Sequence, residues 1–249
     1  MQGDEQAAER PAIALDDVAM SPFLMKVTAF SSGGTFLEGY VLGVIGVALV
    51  QLVPLLGIDA HWSGLIGIAS IVGIFIGALI GGWVTDLLGR KKMFILDVSV
   101  IALLSVLCMF VTTPTQLVVL RLLIGVAIGA DYPIATSMIA EFSPRKYRAI
   151  SMGVLAAVWY VGANVAYIVG FFLIGLEGGW RWMLGSSVIP CLIILVGRMS
   201  IPESPRWLMA KGRQAEANQI VRDLFGANVA LDDEVTQTKT KFSKIFQRD

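Results

Sequence analysis

The sequence predicts an all-α membrane protein built around a bundle of six transmembrane helices. Of the 249 residues, 56% are hydrophobic and only 15% are charged, whereas a soluble domain typically carries about 25% charged residues. The mean hydropathy is +0.74. The apolar stretches are continuous and rich in glycine, which favours helices over a barrel, whose strands would alternate apolar and polar residues.

Six apolar stretches are each long enough to cross about 30 Å of hydrocarbon as a helix that rises about 1.5 Å per residue. We expect the spans at residues 27–53, 63–85, 93–113, 116–140, 149–174 and 181–201. A polar, acidic tail precedes them and a more polar segment follows. The predicted organisation is a cytosolic N-terminal tail (1–26), a transmembrane bundle (27–201) and a segment of cytosolic helices and linker (202–249).

Positive charge is concentrated in the loops at one end of the predicted bundle. Residues 90–92 supply three basic side chains between the second and third spans, and residues 145–148 supply three more between the fourth and fifth. The loops at the other end hold only Arg181. Because Lys and Arg near membrane ends are retained on the cytosolic side, we expect both termini in the cytosol.

Composition and motifs argue against several classes of function. The 19 basic and 19 acidic residues leave no net charge, so no basic field is available to bind nucleic acid. Cys108 and Cys191 lie in separate apolar runs, and His61 is the single histidine, so neither a disulfide framework nor a metal site is predicted. We expect no enzyme activity and no cofactor, because no nucleophile motif is present. A membrane-bound enzyme is the least supported alternative.

Small residues recur at helical spacing in three of the spans. Such stripes let helix backbones approach closely in a membrane, and they are Gly39-x3-Gly43, Gly73-x3-Gly77-x3-Gly81 and Gly125-x3-Gly129. They predict tight helix packing. After Pro202 the sequence becomes more polar and predicts two short helices. The second, residues 213–225, has one apolar face that is expected to lie on the bundle or on the lipid surface.

Ionisable side chains inside the spans are costly, so each is expected to have a partner or a role. Glu38 lies near the middle of the first span, and Arg121 and Asp131 lie in the fourth. A carboxylate in a membrane cavity can bind and release a proton, while a nearby arginine competes for its charged form. We therefore predict proton coupling at these three residues. The alternatives are a static Glu38–Arg121 ion pair and, for Asp131, a partner for backbone groups freed by a kink at Pro133. Asp97, at the start of the third span and within reach of the cytosolic interface, is expected to be structural.

Polar and aromatic side chains form a stripe on the fifth span. Tyr160, Asn164 and Tyr167 follow i, i+4, i+7 spacing, with Trp159 beside them. Hydroxyl, amide and ring faces together suit a small polar ligand, which makes these four residues candidates for substrate binding. The same stripe could instead form hydrogen bonds between helices.

Three segments resemble motifs of one known family. The loop between the second and third spans reads Gly82-x3-Asp86-x2-Gly89-Arg90-Lys91 and is similar to the signature of the major facilitator superfamily. Two further segments resemble its sugar-porter and metabolite:proton symporter branch: Arg121-x3-Gly125-x3-Gly129-x3-Pro133-x7-Glu141-x2-Pro144-x3-Arg148 and Pro202-Glu203-Ser204-Pro205-Arg206-Trp207-Leu208. Most of the chain resembles the N-terminal half of bacterial inner-membrane metabolite transport proteins.

The resemblance implies a transporter that holds its substrate between two six-helix halves. This chain would supply one half and would need a C-terminal six-helix half as its partner. The resemblance also implies a cytosolic charge network and gate formed by Gly82, Asp86, Gly89, Arg90, Lys91, Glu141, Arg148, Glu203 and Arg206. Glu38 and Arg121 match the positions that proton symporters of the family use as a protonatable carboxylate and its modulating arginine.

The expected function is proton-coupled symport of a small polar metabolite, such as a sugar, an organic acid or a phosphate-like anion, by alternating access. The chain is expected to cross the plasma membrane of a bacterium, that is its inner membrane, several times.

Two alternatives for the function stay open. One is an uncoupled facilitator of the same fold, in which Glu38 and Arg121 are structural. The other is a non-transporting fragment or an interaction module that docks on a second chain.

Overall fold

The computed structural model describes residues 13–14, 21–143, 145–226 and 229–230. These residues form nine helices and one pair of two-residue strands, in the order β1 Ile13–Ala14, α1 Pro22–Leu56, α2 Ala60–Leu88, α3 Arg90–Cys108, α4 Pro114–Phe142, α5 Arg145–Leu173, α6 Gly179–Gly185, α7 Val188–Met199, α8 Pro205–Ala210, α9 Gln214–Phe225 and β2 Val229–Ala230. The two strands pair in parallel. Most of the expected N-terminal tail and of the linker after residue 226 lies outside the described residues.

The prediction of an all-α membrane bundle is confirmed. Five helical segments in the described part of the chain are long and apolar enough to cross a membrane: α1, α2, α4, residues Lys146–Leu173 of α5, and the stretch Gly179–Met199 that contains α6 and α7. The remaining expected span corresponds to α3, which has 19 residues and begins with three basic side chains. Its far end stops at Cys108, five residues before the expected boundary at residue 113.

The sixth expected span is interrupted, where the sequence had predicted one continuous helix. The hydroxyl groups of Ser186 and Ser187 donate hydrogen bonds to the carbonyl oxygens of Met183 and Leu184, at 2.6 and 3.0 Å. Serine side chains that bond to nearby carbonyls compete with the helical ladder. Pro190 follows within one turn and lacks an N–H for that ladder. These local features divide the span into α6 and α7.

Glycines at the helix crossings allow two pairs of long helices to pack backbone against backbone. A Cβ atom added at Gly77 of α2 would lie 2.8 Å from the carbonyl carbon of Val126 on α4. One added at Gly129 of α4 would lie 2.8 Å from the carbonyl carbon of Ile74 on α2. Gly39 of α1 stands in the same relation to the backbone of α5. The tight packing predicted from the glycine stripes is confirmed.

The two short helices that follow the bundle fold back onto one of its ends. Ala217 and Val221 of α9 are buried, and Phe225 packs edge-on against Phe23 of α1 with ring centroids 6.0 Å apart. Of the two surfaces expected for the apolar face of α9, the structure therefore selects the bundle. We call this end, where α3 begins with Arg90, Lys91 and Lys92, the basic end.

Candidate functional site

A fully buried arginine joins two aspartates in the interior of the bundle. Arg198 of α7 is 0% exposed, while Asp97 of α3 and Asp131 of α4 are 3% and 5% exposed. A nitrogen of the guanidinium group, Nη1, lies 3.0 Å from Asp97 Oδ2 and 2.8 Å from Asp131 Oδ1. Its Nη2 donates to Asp131 Oδ2 at 3.1 Å. The three side chains therefore connect three helices around one positive charge, and we call them the Arg198 triad.

The peptide backbone holds the guanidinium group in place. Arg198 Nε donates to the carbonyl oxygen of Phe30 at 3.1 Å, and Nη1 donates to that of Phe94 at 3.0 Å. Gly34 of α1 leaves room for the triad, because a Cβ atom there would overlap the Asp131 carboxylate and lie 2.7 Å from Arg198 Nη2. This explains why position 34 in the first span is a glycine.

Sequence reasoning missed Arg198, although a signal was present. A lone guanidinium group in the apolar sixth span is costly unless it is paired. The same argument singles out Glu38 in the first span. Asp97, which was expected to be structural, forms an ion pair with Arg198. It does not reach the interface, however, because Arg198 and the surrounding helices enclose it.

Glu38 of α1 lies next to the triad but bonds to different partners. Its carboxylate, 5% exposed, accepts a hydrogen bond from the hydroxyl group of Tyr132 on α4. The indole of Trp159 on α5 is a further hydrogen-bonding neighbour, and the charge of Asp131 also acts on Glu38. Glu38 is thus a buried acidic group whose hydrogen-bond partners are neutral.

Arg121 does not pair with Glu38, so the static ion pair considered from the sequence is not formed between these two described residues. Arg121 Nη1 donates to the carbonyl oxygen of Val41 at 3.1 Å, and its Nε has no hydrogen-bond partner. Val41 lies three residues from Glu38 on α1, which is about 4.5 Å along a helix axis. Arg121 therefore binds the backbone of α1 close to Glu38 without forming an ion pair with its carboxylate.

The polar and aromatic stripe lies on the outer face of α5. Tyr160 and Tyr167 are 65% and 54% exposed, and Asn164 between them is exposed and donates to the carbonyl oxygen of Tyr160 at 2.7 Å. Trp159 is partly buried and meets Tyr160 edge-on, with ring centroids 5.1 Å apart. The structure places Trp159 near Glu38 and leaves the other three facing away from the bundle. Substrate binding at these four residues stays a prediction.

At the basic end, charged side chains from α2, α3 and α4 form a connected cluster. Arg90 at the start of α3 pairs with Asp86 of α2, and its Nε lies 3.4 Å from Glu141 Oε1 of α4. Glu141 also accepts a hydrogen bond from the hydroxyl group of Ser204 and interacts electrostatically with the positive charge of Arg206. Most of the expected gate residues are thus brought together within this chain.

Helix α8 is attached to the same cluster by hydrogen bonds to the backbone. Glu203 Oε1 accepts from the amide nitrogen of Lys91 at 3.0 Å, and Trp207 Nε1 donates to the carbonyl oxygen of Asp86 at 3.1 Å. Arg148 Nη2 donates to the carbonyl oxygen of Ser143 at 3.2 Å.

Within the described residues, no group of three or more His, Cys, Asp or Glu side chains is placed to hold a metal ion.

Gly89 is required where α2, α3 and α8 meet. Its φ of 106° and ψ of 152° belong to a region that is essentially restricted to glycine. An added Cβ atom would also lie 2.5 Å from Glu203 Oε2 and 3.3 Å from the Trp207 ring. We expect Gly89→Ala to lower the free energy of unfolding by about 1–3 kcal/mol, which thermal unfolding in detergent would measure.

Gly82, from the same motif, supplies the matched control. It has ordinary helical geometry, and the nearest atom to an added Cβ there is Pro133 Cβ, at 3.9 Å. Gly82→Ala should therefore keep the stability of the parent chain. Equal stability of the two variants would contradict the role given to Gly89.

Comparison with known proteins agrees with this arrangement. The family described as sugar (and other) transporter matches residues 26–248. The putative metabolite transport protein YaaU of Escherichia coli is 51% identical over 96% of this chain and 54% of its own length. The inner membrane metabolite transport protein YgcS of Escherichia coli is 41% identical, over 95% and 54%. The chain thus spans about half the length of these curated relatives.

Solved structures share the fold. The proton:xylose symporter XylE, a protein of the major facilitator superfamily solved with 6-bromo-6-deoxy-D-glucose, superposes with a TM-score of 0.76 at 23% identity, over 82% of this chain and 50% of its own. An inward open structure of XylE from E. coli gives 0.72 over 90% and 56%. Together with the sequence matches, these likenesses show that the chain belongs to the sugar (and other) transporter family and has a fold of the major facilitator superfamily.

Proposed function

We propose that this chain forms one half of a secondary transporter that moves a small polar metabolite together with protons by alternating access. The observation that carries the proposal is Glu38, a buried carboxyl group whose hydrogen bonds come from neutral side chains. A buried carboxylate that is not paired with a cation is costly, and binding a proton removes that cost. Membership of a transporter family supports the same reading.

A second six-helix half is part of the proposal. The chain spans about half of its curated relatives, and transporters of this architecture bind substrate between two halves. Tyr160, Asn164 and Tyr167 present hydroxyl, amide and ring groups on a face that this chain leaves uncovered. We assign that face to the substrate and the second half. A sugar, an organic acid or a phosphate-like anion would suit such groups.

The proposed cycle uses the two ends of the bundle in turn. Glu38 binds a proton from the end opposite the basic end, substrate binds against α5, and the halves rock so that the basic end opens. We place the basic end in the cytosol and the protein in the bacterial inner membrane, because basic loops are retained on the cytosolic side. Opening requires the contacts of Arg90 with Asp86 and Glu141, and that of Glu203 with the backbone of Lys91, to rearrange.

Replacing Glu38 by Gln tests the coupling. The chain would be paired with the second half of YaaU in proteoliposomes, and the transported solute would first be found by a counterflow screen of sugars, organic acids and phosphate. A pH difference of about one unit corresponds to about 1.4 kcal/mol and drives about tenfold accumulation when one proton accompanies each solute. We expect Glu38→Gln to keep counterflow and to lose this accumulation.

Glu177→Gln is the matched control, since Glu177 is an exposed glutamate in the turn before α6. It should accumulate solute as the parent does. Accumulation that persists in Glu38→Gln would remove Glu38 from coupling and favour an uncoupled facilitator.

A further inference from the structure

The Arg198 triad carries one more acidic group than its charge can balance. Asp97 and Asp131 together would bring two negative charges to one guanidinium group, and all three residues are at most 5% exposed. An uncompensated charge inside a membrane protein is expensive. One proton shared by the two carboxyl groups would make the triad neutral.

The position of the two carboxyl groups on one nitrogen atom supports a shared proton. Asp97 Oδ2 and Asp131 Oδ1 lie 3.0 and 2.8 Å from Arg198 Nη1, and two carboxyl groups brought together in this way can hydrogen-bond to each other only when one of them is protonated. The backbone contacts at Phe30 and Phe94 hold Arg198 between them. Arg198 can therefore pair with either aspartate without leaving its position.

Other titratable groups of the described residues interact with the triad. Glu38 and Tyr132 interact with Asp131 from the side of α1 and α4, and the buried thiol of Cys191 on α7 lies near Arg198 and Asp97. Asp97 is seven residues from Arg90, which is about 10 Å along the helix from the basic end. Asp131 is deeper, at about 16 Å from Phe142. The order from the interior to the basic end is thus Glu38, Asp131, Asp97.

We propose that Asp97, Asp131 and Arg198 form a second proton-binding site, which receives the proton from Glu38 and releases it at the basic end. Before transfer, Glu38 and Asp97 are protonated, and Asp131 is the carboxylate paired with Arg198. When the basic end opens and water reaches the triad, the Glu38 proton moves to Asp131 while Asp97 releases its own proton to that water, and Arg198 changes partner from Asp131 to Asp97. The proton on Asp131 then passes to Asp97 and Arg198 returns to Asp131, which restores the starting state. One proton leaves for each proton that enters, and the triad stays neutral. The direction of this transfer rests on the proposed function.

Infrared difference spectroscopy of the purified chain in lipid nanodiscs tests proton occupancy without any transport. All the chains compared carry Glu38→Gln, which removes the contribution of Glu38 itself. The parent for this comparison, with Glu38→Gln as its only change, should show the carbonyl stretching band of a protonated carboxyl group, and this band should shift in heavy water. Asp97→Asn and Asp131→Asn should each lose it, because the remaining aspartate then forms a neutral pair with Arg198.

Two further variants sharpen the result. Arg198→Gln removes the positive charge, so both aspartates should be protonated and the band should grow to roughly twice its area. Asp59→Asn is the control, because Asp59 is an exposed helix cap that accepts from the amide of Trp62, and its band should match the parent. Asparagine has nearly the shape of protonated aspartate, so the two Asn variants remain informative if Arg198→Gln fails to fold. A band that is unchanged in both Asn variants overturns the proposal.

The transport readout separates this inference from the proposed function. In the assembled protein with Glu38 restored, Asp97→Asn should keep counterflow and lose accumulation driven by a pH difference. If Glu38→Gln still accumulates solute while the infrared band follows Asp97 and Asp131, coupling at Glu38 fails and the second proton site stands. If Glu38→Gln loses accumulation while Asp97→Asn and Asp131→Asn retain both accumulation and the band, the second site fails and the proposed function stands.

Discussion

Replacing Arg198 by Met should lower the free energy of unfolding by about 3–5 kcal/mol, because removing one partner of a buried ion pair leaves the other charge uncompensated. Methionine has a similar length and can fill the space among α1, α3 and α7. The cost therefore comes from the one carboxylate that Arg198 balances, because it loses its cation and must stay charged in the interior or take up a proton. Thermal unfolding followed by tryptophan fluorescence would measure it.

A charge-neutral version of the same core separates electrostatics from packing. Arg198→Met combined with Asp97→Asn and Asp131→Asn leaves no charge in the triad and should recover most of the lost stability, since neutral replacements of a buried ion pair are often tolerated. Arg181→Met is the control, because Arg181 is exposed and lies over the Trp180 ring. An Arg198→Met variant that unfolds at the parent temperature would contradict the buried ion pairs described above.

The sequence located individual charges in the bundle better than it located their partners. Glu38 and Asp131 were identified because a charge in an apolar run is costly wherever it points. Arg198 lies near the end of the expected span 181–201, where arginine is common on the membrane flank. Its position in the sequence therefore does not indicate a buried ion pair. Its pairing with Asp97 requires α3 and α7 to be neighbours, which spacing along a single helix does not reveal.

The sequence predicted helix packing well and helix ends less well. Glycine stripes identify close crossings because only the lack of a side chain permits them. The boundary at residue 113 was wrong. Thr113 and Gln116 form a capping box at the start of α4, and Pro114 is its first residue. That signature, a threonine followed three residues later by glutamine with proline at the first helical position, was available in the sequence. The break at Ser186 and Ser187 depends on weak competition between the serine hydroxyl groups and the helical hydrogen bonds of the backbone. The apolar residues around the two serines give no indication of it.

Gly77→Leu should destabilise the bundle by about 3 kcal/mol, because a side chain at this crossing has no room to enter. An added Cβ atom alone would lie 2.8 and 2.9 Å from the carbonyl carbon and Cα of Val126, both backbone atoms that cannot move aside by rotation. Helix α2 would have to separate from α4, which carries Asp131 and Tyr132 on the other side. Thermal unfolding in detergent would report the loss.

Gly67→Leu places the same side chain on the same helix, at a position where an added Cβ atom meets nothing within 4 Å. Leucine has a better helix propensity than glycine by about 0.8 kcal/mol, so this variant should be at least as stable as the parent. The difference between the two variants therefore isolates the crossing with α4 from any effect of lipid exposure or helix propensity. Should both variants unfold alike, the close contact of α2 and α4 would not be what holds Asp131 and Tyr132 next to Glu38, and the geometry proposed for proton transfer would need another support.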